Sequence, residues 1–186
     1  ELIDLEVLNL GRNEITDKGV RALAGSSIIT NLKELHLERN EISDAGAKAI
    51  AGSANFSYLN FINLWKNKVG AEGAKAIASS TILVNLKSLD LAQNNIGDEG
   101  AKALAESNTL AGLELLEIFG SGLTDEGKVA QGRARSHHFC VMHQTRARPL
   151  NVGWGRPSRK ARLFYADAAA SAISPFRARN SLAKSL

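Results

Sequence analysis

Apolar residues recur along the first two-thirds of the chain on one template. The order is apolar, two variable positions, apolar, one variable, apolar, then a polar stretch through an asparagine, then apolar again two positions later. "LEVLNLGRNEITDKGVRALAGSSIITN" begins at Leu5, "LKELHLERNEISDAGAKAIAGSANFSY" at Leu32, "LNFINLWKNKVGAEGAKAIASSTILVN" at Leu59 and "LKSLDLAQNNIGDEGAKALAESNTLAG" at Leu86, each start 27 residues after the last. A fifth copy, "LELLEIFGSGLTDEG", begins at Leu113, places Ser121 where the others have Asn, and loses the frame at Lys128. A fixed period of this length marks a stack of like units, none of which can bury its apolar side alone.

Within each unit the alternation of Leu8 and Leu10, Leu35 and Leu37, Ile62 and Leu64, and Leu89 and Leu91 with variable residues predicts a strand with one buried face. Asn13, Asn40, Asn67 and Asn94 recur at one position, where an amide that donates and accepts can brace a tight turn, and stacked copies predict an asparagine ladder. Ile15, Ile42, Val69, Ile96 and Leu123 return to the core. Asp17, Asp44, Asp98 and Asp125 stand where a helix N-cap is expected, and Ala71 alone breaks that column. The "GAKAIA" segment reads as a helix whose small residues allow close neighbours, with Leu23, Ile50, Ile77 and Leu104 turned inward. Ile29, Phe56, Leu83 and Leu110 close each unit with a further buried contact.

These motifs resemble the ribonuclease-inhibitor-like class of leucine-rich repeats over residues 5 to about 130. The resemblance implies an α/β solenoid, with parallel strands on a concave face and helices on a convex face. It also implies protein recognition on the strand face. The expected domains are residues 1–130, holding four full repeats and a partial fifth, and a basic tail over 131–186.

Between the core leucines the strand face presents three columns: Val7, Glu34, Phe61, Ser88, Leu115; Asn9, His36, Asn63, Asp90, Glu117; and Gly11, Glu38, Trp65, Ala92, Phe119. Neighbouring strands lie about 4.8 Å apart. Arg12, Arg39, Lys66 and Gln93 follow at the strand exits. Trp65 and Phe119 flanking Ala92, with Phe61 and Leu115 on the same strands, predict an apolar patch edged by Asp90 and Glu117, the setting in which aromatic side chains anchor protein interfaces. The candidate binding residues are therefore Arg12, His36, Glu38, Arg39, Phe61, Asn63, Trp65, Lys66, Asp90, Leu115, Glu117 and Phe119. The row Arg21, Lys48, Lys75, Lys102 reads as an ordinary solvated helix face.

Charge divides the chain. Residues 1–127 carry 11 Lys and Arg against 18 Asp and Glu, whereas residues 128–186 carry 12 against one. Lysine outnumbers arginine eight to three before that point, and arginine outnumbers lysine nine to three after it. A disordered tail or an out-of-frame reading would each produce this shift, since the segment has few large aliphatics to offset its ordering entropy. Strong salt-dependent nucleic-acid binding through the tail is the third reading, and the least expected.

Other chemistry finds little support. The lone Cys140 cannot form an internal disulfide, and a reducing, intracellular (cytoplasmic) setting is the expectation. No apolar run reaches the roughly 18 residues that span a bilayer, and no signal peptide is recognisable. The chain opens on Glu1 rather than Met, so an N-terminal portion is expected to be missing. His137, His138, Cys140 and His143 are zinc-binding types, but they crowd into seven residues with no second ligand pair, and no metal or cofactor is expected. There is no P-loop, nucleophile elbow or dinucleotide fingerprint. A catalytic relative of this repeat class activates a small GTPase through an arginine-bearing loop. Arg12 and Arg39 sit in ordinary repeats without such a loop, so no catalytic residue carries over. A non-catalytic module that binds a partner protein is the expectation, with small-GTPase regulation as the alternative.

Overall fold

The first elements of the template fold as short strands because apolar residues two apart point to the same side of an extended chain. In the computed structural model, residues 4–124 and the two-residue strand Cys140–Val141 are described. The strands are β1 (Val7–Asn9), β2 (Glu34–His36), β3 (Phe61–Asn63), β4 (Ser88–Asp90), β5 (Leu115–Glu117) and β6 (Cys140–Val141). Helices α1 (Asp17–Ala24), α2 (Asp44–Gly52), α3 (Ala71–Ala78) and α4 (Gly97–Ala105) follow β1 to β4 in turn. The strands form one parallel sheet in chain order, with Leu8, Leu35, Ile62, Leu89 and Leu116 in register. This is the solenoid the 27-residue period predicts. β6 pairs with β5 beyond the last recognisable repeat. Two compact units divide the chain, Glu1–Thr145 and Arg146–Leu186, and the second lies wholly outside the described residues, as do most of the tail readings above.

The core runs between sheet and helices. Leu35, Leu37, Ile62, Leu64, Leu89 and Leu91 are fully buried, as are Ile50 and Ile77 from the helices and Phe56 and Leu83 from the returns. Each such side chain contributes roughly 1.5–3 kcal/mol relative to exposure. In the first repeat Leu8, Leu10, Ile15 and Leu23 are only partly buried against this core, because a coil gains its cover from neighbours on both sides.

Three polar ladders tie the repeats together. The asparagine ladder forms as expected: Asn40 Oδ1 accepts the Asn13 and Ile15 amides of the preceding repeat at 3.0 and 2.8 Å, while its Nδ2 donates to the Leu10 and Leu37 carbonyls at 3.0 Å. In the fifth copy the Ser121 hydroxyl donates to the Leu91 carbonyl at 2.9 Å and accepts the Asn94 amide at 3.2 Å, so a shorter side chain keeps the link.

The aspartate column corrects the sequence reading. Asp17 and Asp44 do not cap their own helices. Each lies just inside its helix and reaches forward to the next: Asp17 Oδ1 accepts the Ser43 and Gly46 amides at 2.8 and 2.9 Å, and Asp44 Oδ1 accepts the Gly70 and Gly73 amides at 2.6 and 2.8 Å. Asp98 likewise accepts the Thr124 amide at 2.8 Å. Stacking brings the next N-terminus, with its unsatisfied N–H groups, closer to the carboxylate than its own. Burial opposes ionisation of Asp17, but the Ser43 hydroxyl and the two amides outweigh it and hold the carboxyl below its ordinary range.

The third ladder closes the other helix end. Ser53, Ser80 and Ser107 hydroxyls donate to the carbonyls of Ala24, Ala51 and Ala78, at the ends of the preceding helices, at 2.5, 2.6 and 2.5 Å. Repetition of serine every 27 residues was visible in the sequence, but its hydrogen-bonding role depends on the neighbour and was not read there.

Candidate protein-recognition face

The strand register assembles the three predicted columns. Glu34, Phe61, Ser88 and Leu115 are successive partners, as are His36, Asn63, Asp90 and Glu117. The third column follows from the exit turns, where Arg12, Arg39, Lys66 and Gln93 donate their amides to the carbonyls of Glu38, Trp65, Ala92 and Phe119. All four turn residues have positive φ, 62°, 54°, 55° and 53°, and the fifth copy places Gly120 there at 67°. A non-glycine residue in this region costs about 1 kcal/mol. Arg12, Arg39 and Lys66 at these turns are exposed.

The aromatic residues are less open than the sequence implies. Phe61, Trp65, Leu115 and Phe119 are half-buried, and Ala92 between Trp65 and Phe119 is fully covered. His36 stacks on Phe61 with ring centroids 4.8 Å apart, and the Arg39 guanidinium lies 4.6 Å over the Trp65 ring. Neighbours one strand away supply this cover, which an isolated column cannot reveal. His36 Nε2 also stands 3.4 Å from Glu34, a residue absent from the expected set.

Polar residues of the middle column have two tasks. Asn63 Oδ1 accepts the Trp65 amide at 2.9 Å and Asp90 Oδ1 accepts the Ala92 amide at 2.8 Å, so both brace the strand exits. Asp90 also faces Glu117. Burial pushes the Asp90 carboxyl up to about 7, against the Ala92 amide, and the charges of Glu117 and Glu38 act in the same direction as burial. Burial raises Glu117 as well, opposed by a hydrogen bond with Asp90. Glu38 folds against Gly11, where an added Cβ would lie 2.5 Å from its Oε1. Its Oε2 and the indole Nε1 of Trp65 are both shut from solvent and have no hydrogen-bond partner.

Of the expected set, Glu38, Trp65, Asp90, Glu117 and Phe119 come together at the centre of the face, with His36, Phe61, Asn63 and Leu115 beside them. Arg12 and Lys66 stand exposed at the strand exits, and Arg39 covers Trp65. No group of three or more metal-ligating side chains occurs among the described residues. The side chains of His137, His138, Cys140 and His143 lie outside them. No helix among the described residues is long and apolar enough to cross a membrane.

The sequence profile of the family described as "Leucine Rich repeat" matches residues 2–24, 29–51, 57–78 and 83–105, and the chain is a leucine-rich-repeat protein. No curated protein matches it. Among solved structures, an internalin from Listeria monocytogenes strain 4b F2365 is similar, at 19% identity and a TM-score of 0.42, with 78% of this chain and 49% of that one covered. The chain thus spans about half the length of that internalin.

Proposed function

We propose that this chain is a non-catalytic recognition module that binds a partner protein on its concave strand face, in an intracellular setting. Family membership supports the general class, since leucine-rich repeats commonly serve as protein-interaction modules. The single observation that carries the specific reading is the centre of the strand face. Half-buried Trp65 and Phe119 flank a covered Ala92, beside carboxyl groups that burial has pushed upward. Aromatic anchors with desolvated polar neighbours are the composition of an interface centre rather than of an ordinary wet surface. The strand-and-helix coil also fits the ribonuclease-inhibitor-like class.

Site-specific photocrosslinking tests the assignment. A crosslinker in place of Phe61 or Phe119 is expected to trap a partner in the source cells, whereas one in place of Lys75 on the helical side is not. Capture only from the helical side would overturn the reading.

A further inference from the structure

The strand face is charged in a way that restricts its occupant, and this inference rests on the recognition role assigned above. Asp90 and Glu117 are register partners on adjacent strands. Glu38 acts on Asp90 from the exit of β2. On the β3 side the register partner of Asp90 is the uncharged Asn63. Ion pairs among the described residues, such as Lys33 with Glu6, Lys68 with Glu41 and Lys75 with Glu99, engage none of these three acids. The three acids at the centre of the strand face are therefore without an ion-pair partner among the described residues, and the nearest placed cation on the face, Arg39, lies over the Trp65 ring.

Two further atoms of the face are unpaired, one of them on Glu38 itself. Trp65 Nε1 is a donor without an acceptor, and Glu38 Oε2 is an acceptor without a donor. Unpaired buried polar groups of this kind cost roughly 1–3 kcal/mol each, a cost that an incoming chain removes only where Trp65 or Glu38 turns toward it. A purely apolar occupant would leave both unpaired and would bury the carboxyl groups still further.

We propose that the occupant is a protein segment centred on an arginine, whose guanidinium lies between Asp90 and Glu117 while apolar neighbours pack on Phe119 and beside the Arg39-covered Trp65. Arginine suits the position better than lysine, because a planar guanidinium can bond two carboxylates at once and stack on an aromatic face. As the guanidinium enters, the proton held by Asp90 leaves to solvent, so binding strengthens as pH rises through the range in which Asp90 ionises. Arg12 and Lys66 at the strand exits would favour acidic flanking residues in the same segment.

Two blocked peptides, Phe-Gly-Arg-Gly-Phe and the same sequence with uncharged citrulline for arginine, test this on the full chain by calorimetric titration. At about pH 8 the arginine peptide is expected to bind about tenfold more tightly, the value of one charge-assisted contact. That advantage should shrink at about pH 6, where Asp90 is protonated. It should vanish in an Asp90→Asn, Glu117→Gln double variant, whose retained fold circular dichroism verifies. Equal affinity of the two peptides at the higher pH, no binding by either at millimolar peptide, or an advantage that persists in the double variant would each overturn the proposal. A partner trapped from the strand face whose affinity ignores the double variant would sink the arginine inference alone, whereas trapping only from the helical side would sink the recognition reading itself.

Discussion

The Asp44 carboxylate in α2 accepts the Gly73 amide of α3 at 2.8 Å, and a Cβ on Gly73 would stand 2.7 Å from that same oxygen. Asp17 and Gly46 repeat the relationship, at 2.9 and 2.6 Å. The motif Asp-x-Gly is thus written across the repeat boundary: the aspartate of one unit needs the glycine of the next.

Ala71 supplies the internal control. Without a carboxylate there, Gly97 adopts φ +57° and turns its amide to the Ser121 carbonyl at 3.0 Å, and the Gly100 amide bonds Ile96 within its own helix at 3.2 Å. Asp44→Ala is expected to destabilise the fold by about 1–2 kcal/mol in urea denaturation, the cost of a lost cap. Ala71→Asp is expected to add about 1 kcal/mol. A crystal structure of that variant should show Gly97 moved to the extended region occupied by Ser43 and Gly70.

Position in the stack should grade the asparagine column. Asn94 donates to the Leu64 and Leu91 carbonyls at 2.9 and 3.0 Å and accepts the Val69 amide at 2.9 Å, all buried. Asn94→Ala leaves several buried groups unpaired and should cost about 2–4 kcal/mol. Among the described residues the Asn13 side chain donates to the exposed Gly11 carbonyl, so Asn13→Ala should cost less than about 0.5 kcal/mol. Chemical denaturation of the two variants compares them directly.

Ser80→Ala tests the ladder at the helix C-termini. The Ser80 hydroxyl donates to Ala51 at 2.6 Å and accepts the Ile82 and Leu83 amides, both at 3.2 Å. Its removal is expected to cost about 1–3 kcal/mol and to speed amide exchange at Leu83 before that at Leu37.

The two perturbed aspartates predict opposite responses to pH. The folded chain holds a proton on Asp90 up to about 7, whereas the unfolded chain releases it near the ordinary value of 3.8, so stability from this group falls as pH rises between those values. Asp90→Asn should therefore stabilise the protein by about 1–2 kcal/mol above pH 8, with the gain disappearing toward pH 4. Asp17 has the reverse sign: its contribution is present above its unfolded value and is lost as pH falls through the lowered folded one. Thermal melts of the wild type, Asp90→Asn and Asp17→Asn across this range separate the two.

The repeat period, strand faces and core columns were legible in the sequence because each depends on a residue's own hydrophobicity and spacing. What was not legible depends on the neighbouring coil. Asp17 stands where sequence alone predicts a cap for the helix it opens, since the nearest N–H groups in sequence are its own, yet stacking brings Ser43 and Gly46 closer. The carbonyl partners of the serines at 53, 80 and 107 lie in the preceding repeat and are hidden from the sequence for the same reason. On the strand face the columns and their register followed from periodicity. The cover that His36 gives Phe61 and Arg39 gives Trp65 did not, because side-chain reach across strands is not a property of one column.

In the proposed function recognition falls on the strand face and not on the helical side. The affinity of the photocrosslinked partner for the wild type, Trp65→Ala and Lys75→Ala proteins tests it most directly. We expect Trp65→Ala to weaken binding by about tenfold or more while the fold is retained, as loss of an aromatic anchor does, and Lys75→Ala to leave affinity unchanged. Full affinity in Trp65→Ala together with a loss in Lys75→Ala would contradict the account.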